Sequence, residues 1–495
     1  MTAQAVKTKE HTVVIGLEVH VQLETATKIF CGCSTAADDE KPNSRTCPVC
    51  LGLPGALPVL NEGAVEAAVK IGKALNAEIP EQTTFHRKNY YYPDLPKNFQ
   101  LTQYDAPICQ QGTLEISVES DRREIGITRA HLEEDPGSLQ HKGGSIDTAE
   151  ATLINYNRAG TPLVEIVTEP DFRAPAETRA FLAKLEEVLE YLGVFDATRD
   201  GSLRVDANIS LVEADEVDAD GEIDDSVLEA ANRTEVKNIS SHKAAEKALA
   251  YEVSRQKNAV KRGRALETET RHWDESRGIT VSMRSKESEA DYRYFREADL
   301  PPLEVADWKD EIEIPELPDA RRERFVADYG LDSEAAAKLT STKAVADFFE
   351  TVAEQFDPAV AATWVADNLL GELNYRDMLI TDIAGRLDEF AHLIELVEAD
   401  ELTMKNAEEV VLRSMLDDGD DPETIIDREG LGKADDDAIV DFVTDAVDEN
   451  PDAVEDYHNG EDGALNFLVG QVMQRSQGSA DPGSVNQLLR EELDG

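Results

Sequence analysis

Cysteine is scarce in this sequence and unevenly placed. The chain has 495 residues and five cysteines, and four of these, Cys31, Cys33, Cys47 and Cys50, lie in one short segment, FCGCSTAADDEKPNSRTCPVC. No apolar run reaches the roughly 18 residues of a membrane-spanning helix, and the N-terminal residues MTAQAVKTKEHT lack the apolar stretch of a secretory signal. We therefore expect a cytoplasmic protein, a compartment in which disulfides are rare.

A metal is the better interpretation of the four clustered cysteines in a reducing compartment. Cys31 and Cys33 are separated by one residue and Cys47 and Cys50 by two, and the second pair lies in the tight turn CPVC. Four thiolates around a tetrahedral Zn²⁺ form a closed structural site that performs no chemistry. The alternatives are four free thiols or a redox pair. Cys109 stands alone and is expected to be a small buried hydrophobe.

Positive charge is also scarce. Lys and Arg total 49 against 102 Asp and Glu, which gives a formal net charge of −53. A disordered acidic tail does not explain this excess, because the carboxylates are spread along the chain and 41% of the residues are hydrophobic. The pattern favours adaptation to high salt, in which a dense carboxylate surface stays hydrated while its self-repulsion is screened. The acidity therefore does not exclude a nucleic-acid partner.

Several nucleotide and amidase signatures are missing as well. The sequence contains no Walker-type phosphate loop, no Rossmann glycine pattern and no glycine- and serine-rich amidase signature. If the protein handles phosphates, it does so through a metal and basic groups. The candidates for ATP contacts are Lys88 and Arg87 in FHRKNYYYPDLPKNFQ and Arg204 in SLRVDANISL. The tyrosines of the first segment either stack on a base or are half-buried core residues.

The hydrophobic pattern predicts an α+β fold. Alternation in HTVVIGLEVHVQL, SLRVDANISL and ITVSMRS, the last with Arg284 on its polar side, indicates strands. Residues 178–192 have helical spacing and end at Gly193, and 213–226 is expected to be an acidic loop. We predict a cradle with a mixed or antiparallel sheet and flanking helices over 1–300, with the cysteine knuckle at 31–50. All-helical regions are predicted over 301–400 and 401–495.

The polar faces of the predicted strands carry His, Gln, Arg, Asp and Asn, which are typical of a cleft lining. GLEVH places Glu18 and His20 on one strand face, ITRAHLEEDPG ends a strand with Glu133 and Glu134, and NRAGTPLVEIVTEPD places Glu165 among apolar neighbours. A carboxylate in that setting is costly to bury unless it is paired or bound to a metal. These carboxylates and one imidazole suit a hard divalent cation such as Mg²⁺, and the alternative is a solvated acidic surface.

Eight segments resemble the GatB family, the B subunit of the tRNA-dependent Asp/Glu amidotransferase, in the family's order over nearly the whole chain. They are IGLEVHVQLETATKIFCGC, CPVCLGLPGALPVLN, RKNYYYPDLPKNFQLTQYD, ITRAHLEEDPG, NRAGTPLVEIVTEPD, DGSLRVDANIS, ADYRYFREADLPPL and GALNFLVGQVMQRSQG. The resemblance implies a ligase that forms a carbon–nitrogen bond. It phosphorylates the side-chain carboxylate of misacylated Asp-tRNA(Asn) or Glu-tRNA(Gln) with ATP. Ammonia, derived from glutamine by the amidase A subunit, then displaces the phosphate, and the small C subunit completes a heterotrimer.

The resemblance also assigns residues. It implies Mg²⁺ at Glu18, His20, Glu133, Glu134 and Glu165, with His20, Glu134 and Glu165 as direct ligands and the other two acting through water. It implies structural Zn²⁺ at the four clustered cysteines. The 401–495 region resembles the YqeY family and is expected to contact the tRNA body, with Arg475 and Lys405 among the contacts.

Two alternatives remain. One is a zinc-stapled tRNA-binding scaffold whose partner performs the catalysis. The other is the related archaeal Glu-specific E subunit, for whose inserted domain this chain has no room. The preference between Asp-tRNA(Asn) and Glu-tRNA(Gln) stays open.

Overall fold

The chain divides into two compact units, residues 1–317 and 318–495. Their structure was obtained as a computed structural model, which describes residues 11–36, 41–118, 121–143, 149–199, 201–218, 223–283, 289–431, 436–459, 461–476, 480 and 482–494. Arg284 lies outside the described residues. None of the described helices has both the length and the apolar composition that crossing a bilayer requires.

A large, almost entirely antiparallel sheet organises the first unit. Its strand order is β13-β12-β11-β10-β1-β9-β6-β4-β3-β14, with β5 paired to β6, and only β11 and β12 run parallel. Two small sheets pair β2 with β15 and β7 with β8. The strands are β1 (His11–Gln22), β2 (Gln82–Thr83), β3 (His86–Asn89), β4 (Phe99–Thr102), β5 (Cys109–Val118), β6 (Asp121–Glu134), β7 (Ser138–Lys142), β8 (Ala151–Asn155), β9 (Pro162–Thr168), β10 (Leu203–Glu213), β11 (Thr234–Ile239), β12 (Glu269–Asp274), β13 (Ile279–Ser282), β14 (Phe295–Arg296) and β15 (Leu303–Glu304).

The sheet buries one face because its strands alternate apolar and polar residues. In β1 every apolar residue of the predicted face is buried, namely Val13, Ile15, Leu17, Val19 and Val21. The helices of this unit are α1 (Glu62–Ala74), α2 (Pro175–Tyr191), α3 (Asp225–Ala230), α4 (His242–Lys261) and α5 (Ala306–Glu311). Helix α2 matches the predicted 178–192 segment, and Gly193 follows it with a φ of +66°, which glycine adopts without steric cost. These elements confirm the predicted α+β class.

In the first unit, one predicted loop and one predicted domain boundary differ from the structure. The acidic segment 213–226 is only partly a loop, since a 3₁₀ turn spans Ala214–Glu216 and α3 begins at Asp225. The first unit also extends past residue 300. Val305 is fully buried, and Trp308, Ile312 and Leu317 pack against the same core, so the Pro-rich break near 301 is an internal turn of this unit.

The second unit is helical and contains two separate hydrophobic cores. Its α-helices are α6 (Pro318–Tyr329), α7 (Ser333–Leu339), α8 (Lys343–Ala353), α9 (Pro358–Ala362), α10 (Leu370–Tyr375), α11 (Leu387–Glu398), α12 (Met404–Asn406), α13 (Arg413–Asp418), α14 (Pro422–Glu429), α15 (Asp436–Glu449), α16 (Pro451–His458), α17 (Asp462–Arg475) and α18 (Pro482–Asp494). Thr363–Leu369 and Ala407–Leu412 are π-helical, and 3₁₀ turns occur at Ile380–Asp382 and Ala384–Arg386.

The first core of this unit runs from Phe325 to Leu431, and the second from Ile439 to Leu493. The predicted boundary at 401 therefore falls inside the first core. Leu402, Ala407, Val411 and Leu412 are buried there. A separate core begins only with α15, and we use the name terminal bundle for residues 436–494.

A buried ion cluster provides a test of what stabilises the first unit. Glu252 on α4 is 0% exposed, and its carboxylate accepts hydrogen bonds from Arg255 and Thr280 and lies 3.1 Å from Nε of Arg271. We expect Glu252→Ala to lower the free energy of unfolding of this unit by about 3 kcal/mol, because it removes the fully buried carboxylate and leaves Arg255 and Arg271 with Glu269 as their shared acidic partner.

The matched control is Glu246→Ala on the same helix, which removes a partly exposed pair with Arg179 and should change stability by less than about 1 kcal/mol. Denaturant unfolding in molar KCl measures both variants. Equal midpoints would contradict the expected dominance of the buried cluster.

Candidate metal centres

A row of polar side chains crosses the centre of the large sheet on the face opposite the core. The strand register places Arg204 of β10 beside His20 of β1, His20 beside Glu165 of β9, and Glu165 beside His131 of β6. Side chains directly opposite on neighbouring strands have Cβ atoms about 4.5–5.5 Å apart. Residues distant in sequence are therefore brought together by strand pairing alone.

Three of the predicted site residues form one cluster. Nε2 of His20 lies 3.5 Å from Oε2 of Glu165 and 3.8 Å from Oε1 of Glu133. One ligand atom from each of the three residues lies within 4.8 Å of the others. Both glutamates are buried, and Oε2 of Glu133 has no hydrogen-bond partner among the described residues. We call His20, Glu133 and Glu165 the central triad.

The carboxylates of the triad influence each other's protonation. Burial and the neighbouring Glu165 charge raise the pKa of Glu133 to about 7. Burial alone would also raise the pKa of Glu165, but its hydrogen bond with His20 and the charges of His20 and Lys88 hold it well below its ordinary value. Burial would lower the pKa of His20, and its contacts with Glu165 outweigh this effect and raise it to about 9. Two ionised carboxylates in one buried site are therefore stable only when positive charge lies close to them.

Glu18 belongs to a second acidic cluster beside the triad. One carboxylate oxygen from each of Glu18, Asp206 and Glu235 lies within 4.8 Å of the others. Lys237 offsets part of this negative charge, since its Nζ lies 2.8 Å from Asp206 and 3.5 Å from Glu235. Glu18 also accepts a 3.0 Å hydrogen bond from Asn208. The structure thus places Glu18 next to the triad but not within it.

Glu134 points away from the triad. Successive residues of a strand face opposite sides of the sheet, so Glu133 and Glu134 cannot both enter one cleft from β6. Glu134 forms a buried ion pair with Lys97 and accepts a 3.0 Å hydrogen bond from the Leu101 backbone N–H. The structure therefore does not bring Glu134 together with His20 and Glu165.

The three predicted ATP-contacting residues have different surroundings. Burial would lower the pKa of Lys88, but the charges of Glu133 and Glu165 raise it above its ordinary value, which places this ammonium close to the triad. Arg204 is held at 2.7 Å by Asp135 and remains about one-third exposed. Arg87 faces the other side of β3, where Glu297 binds it bidentately and it stacks over Phe99.

An aromatic cluster lines the cleft next to Lys88. Tyr104 and Tyr294 stack with ring centroids 4.2 Å apart, and Nζ of Lys88 lies 5.2 Å from the ring centroid of Tyr292. Tyr91, in contrast, is 78% exposed. Tyr92 of the same segment is also exposed, whereas Tyr90 is half-buried and donates its hydroxyl to Gln100.

Sequence reasoning missed His131. It is buried, and its Nε2 lies 3.5 Å from Oε2 of Glu165. Burial lowers its pKa to about 3 despite that carboxylate, so the ring is neutral at physiological pH. The signal was present, since alternation along ITRAHLEE puts His131 on the same strand face as Glu133. Asp135 was also undervalued, because it binds both Arg158 and Arg204.

The four clustered cysteines converge as the spacing predicted. Their sulfurs all lie within 4.8 Å of one another, and Sγ of Cys47 and Cys50 are 3.9 Å apart. Tetrahedral zinc with Zn–S bonds of about 2.3 Å requires sulfurs about 3.8 Å apart, so the arrangement fits a structural zinc site. Cys109 is buried, and its Sγ lies 3.4 Å from the Ala68 carbonyl oxygen, as expected of a structural cysteine.

The cysteine knuckle packs against the ion pair behind the triad. Gly52, with a φ of +64°, lies so close to Lys97 that an added Cβ would come within 2.4 Å of the lysine Cγ. Lys97 in turn holds Glu134, the neighbour of Glu133. The knuckle thus supports the end of β6 that carries part of the triad.

The two basic residues suggested for the C-terminal region are both described. Lys405 is exposed on α12. Arg475, at the end of α17, forms an ion pair with Glu449. Their positions leave Lys405 accessible, while Arg475 is already paired with a carboxylate.

Comparison with known proteins gives consistent results over the full chain. Residues 13–310 match the family model for the GatB/GatE catalytic domain, and residues 347–493 match that for the GatB domain. Proteins named as the B subunit of aspartyl/glutamyl-tRNA(Asn/Gln) amidotransferase are similar throughout. The protein from Natronomonas pharaonis is 77% identical, with 100% of both chains covered. The one from Haloquadratum walsbyi is 75% identical, covering 100% of this chain and 99% of the relative. The one from Methanospirillum hungatei is 52% identical, covering 97% of this chain and 98% of the relative.

The cysteine cluster yields a direct prediction. We expect the purified, reduced protein to contain about one zinc per chain, and Cys47→Ser to lose it with a fall in melting temperature, because metal binding contributes to folding. Cys109→Ala is the control and should retain the metal. Elemental analysis decides, and the absence of zinc from the wild-type protein would refute a structural zinc site.

Proposed function

The chain belongs to the GatB family, and on this basis we propose that it catalyses ATP-dependent amidation of misacylated Asp-tRNA(Asn), Glu-tRNA(Gln) or both in the cytoplasm. In this reaction the side-chain carboxylate receives the γ-phosphoryl group of ATP, and ammonia then displaces phosphate. Activation is needed because hydroxide is a poor leaving group. The observation that carries the proposal is the central triad in the cleft of the catalytic-domain region.

The triad has the donor set for Mg²⁺. Carboxylate oxygens are the preferred ligands of hard cations, and a dication between Glu133 and Glu165 would relieve the repulsion that raises the pKa of Glu133. His20 and Glu165 complete the protein side of the site. When bound, Mg²⁺ supplies neutralisation of phosphate oxygen charge during phosphoryl transfer. In this arrangement Glu134 anchors Lys97, and Glu18 lies beside the metal site.

Basic side chains place positive charge on two sides of the triad. Lys88 lies on the aromatic side, and Arg204 lies beside His20, where Asp135 fixes its orientation. Both are suited to orient an anionic phosphate, because positioning and electrostatic stabilisation supply most of the catalysis in phosphoryl transfer. Arg87, bound to Glu297, instead stabilises the cleft wall. The neutral His131 ring orients Glu165 from the buried side.

The proposal includes partners. The sequence has no amidase signature, so ammonia would come from glutamine through the amidase A subunit, with the small C subunit completing the heterotrimer. The acceptor end of the tRNA would enter the cleft, where the exposed Tyr91 can stack on a base. The relatives are themselves named as B subunits of a tRNA amidotransferase.

A catalytic role differs in one testable way from the alternative of a zinc-stapled tRNA-binding scaffold. The first requires the triad for ATP-dependent activation, whereas the second requires only tRNA binding. The pair of buried, mutually repelling carboxylates favours catalysis, because a simple RNA scaffold gains nothing from two buried glutamates.

We expect Glu165→Gln and Glu133→Gln to reduce ATP-dependent amidation by about 100-fold or more, since each removes a charge that stabilises the reacting centre. The assay uses the assembled complex with ammonium as donor and both misacylated tRNAs, and follows ADP and amidated aminoacyl-tRNA. Affinity for tRNA should be unchanged.

Glu169→Gln is the matched control for these variants. Glu169 follows β9, is exposed and accepts a 2.8 Å hydrogen bond from the Thr128 hydroxyl, so its loss should leave activity close to wild type. Near-normal amidation by Glu165→Gln at saturating Mg²⁺ would refute the assigned site.

The terminal bundle gives a second prediction. Deleting residues 436–495 should weaken tRNA binding while the first unit keeps its fold, because the bundle has its own core. The affinity of the intact chain should change little between low and molar KCl, since a chain of charge −53 cannot depend on the salt-sensitive release of counterions. Filter binding over a KCl series measures both. A steep loss of affinity with salt, or no effect of the deletion, would contradict this account.

A further inference from the structure

Lys28 is a buried lysine next to the cysteine cluster. It is only 1% exposed. Its Nζ lies 2.9 Å from the Arg45 carbonyl oxygen, 3.3 Å from the Tyr156 carbonyl oxygen and 3.8 Å from Sγ of Cys50. Arg45 belongs to the loop between the two cysteine pairs, and Tyr156 follows β8. A single ammonium thus connects three segments of the chain.

The positive charge of Lys28 is unfavourable in its buried surroundings. A buried ammonium is costly unless an anion compensates it. Within the part of the chain that the structure describes, no carboxylate pairs with Lys28, and both of its oxygen partners are neutral carbonyl groups. Glu134, the acidic residue on the neighbouring side of Gly160, is already neutralised by Lys97. The group within hydrogen-bonding range that a bound metal would make anionic is the sulfur of Cys50.

The charge of a metal-loaded cysteine cluster matches this requirement. Four thiolates around one Zn²⁺ leave an excess of two negative charges, and this excess is itself unfavourable in a partly buried site. We propose that Lys28 is the charge-compensating positioning residue of the zinc site. Its ammonium donates to Cys50 and offsets the excess charge, and its bonds to the two carbonyl groups hold the knuckle against the loop after β8. The proposal depends on zinc occupancy but not on the proposed enzymatic activity.

The contacts around Lys28 extend toward the central triad. The Ile29 backbone N–H donates to the Gly160 carbonyl oxygen at 2.9 Å. An added Cβ at Gly160, whose φ is +86°, would lie 3.6 Å from both Cys50 Cβ and Lys28 Cδ. Gly160 is two residues before β9, the strand of Glu165. The zinc site and Lys28 together therefore fix the backbone that leads into the triad.

Two variants separate the charge of Lys28 from its hydrogen bonds. Lys28→Gln keeps a donor for the carbonyl groups and removes the charge, and Lys28→Met removes both. The matched control is Lys73→Met, because Lys73 also donates to a backbone carbonyl group, that of Ile312, but does not touch the cysteines. Zinc affinity is measured on the full chain in molar KCl by competition with a chromophoric chelator. Melting temperatures are recorded with excess zinc and with EDTA.

We expect both Lys28 variants to bind zinc about 10–100-fold more weakly, the usual effect of losing an outer partner of a metal ligand. The rise in melting temperature caused by zinc should shrink in both variants and stay unchanged in Lys73→Met. A purely structural lysine would instead lower both melting temperatures equally.

Wild-type zinc affinity in Lys28→Gln would overturn the proposal, as would a wild-type protein that binds no zinc. Failure of Lys28→Gln to fold in excess zinc would also count against it, since the role of Lys28 would then be structural. These outcomes are distinct from loss of amidation in the triad variants, because none of them is read from activity.

Discussion

The repulsion between Glu133 and Glu165 is the constraint around which the cleft is arranged. Both carboxylates are buried on adjacent strands, and burial together with mutual repulsion raises the pKa of Glu133. His20, Lys88 and the neutral His131 surround the pair without fully neutralising it. Such an arrangement requires the fold to hold the two strands in register and to keep cationic groups beside the pair. The extended core on the other face of the sheet supplies that rigidity.

The cysteine knuckle and the residues just after it contact the segments at the ends of β6 and β9. Gly52 packs on Lys97, whose ion pair with Glu134 anchors the end of β6, and Cys50 lies beside the Gly160 turn that leads into β9. A metal bound by the four cysteines would therefore stiffen the ends of both strands that carry the triad glutamates.

The acidic composition and the local basic groups have separate roles. Most of the −53 formal charge is carried by surface carboxylates, whose interactions are screened within about 3 Å at 1 M salt. Lys88, Arg204 and Lys97 are instead close to buried or partly buried acidic partners, and such pairs are screened much less. A cleft built this way keeps its electrostatics in molar salt, while the surface determines solubility.

The sequence by itself determined the α+β class, the strands that carry Glu18, His20, Glu133 and Glu165, and the convergence of four cysteines. The alternation of apolar and polar residues and the spacing of cysteines are local patterns, which do not depend on contacts between distant residues. Only the tertiary structure decided which of the predicted site residues lie together and which lie apart. Strand register placed His20 and His131 on either side of Glu165, and the two-residue period of β6 turned Glu134 toward Lys97. The pairing of β1 with β10 put Glu18 beside Asp206 in a separate cluster. The unit boundary after residue 317 and the start of a separate core with α15 depended equally on which core each helix joined. These choices depend on contacts between residues far apart in the chain, and no local pattern encodes them.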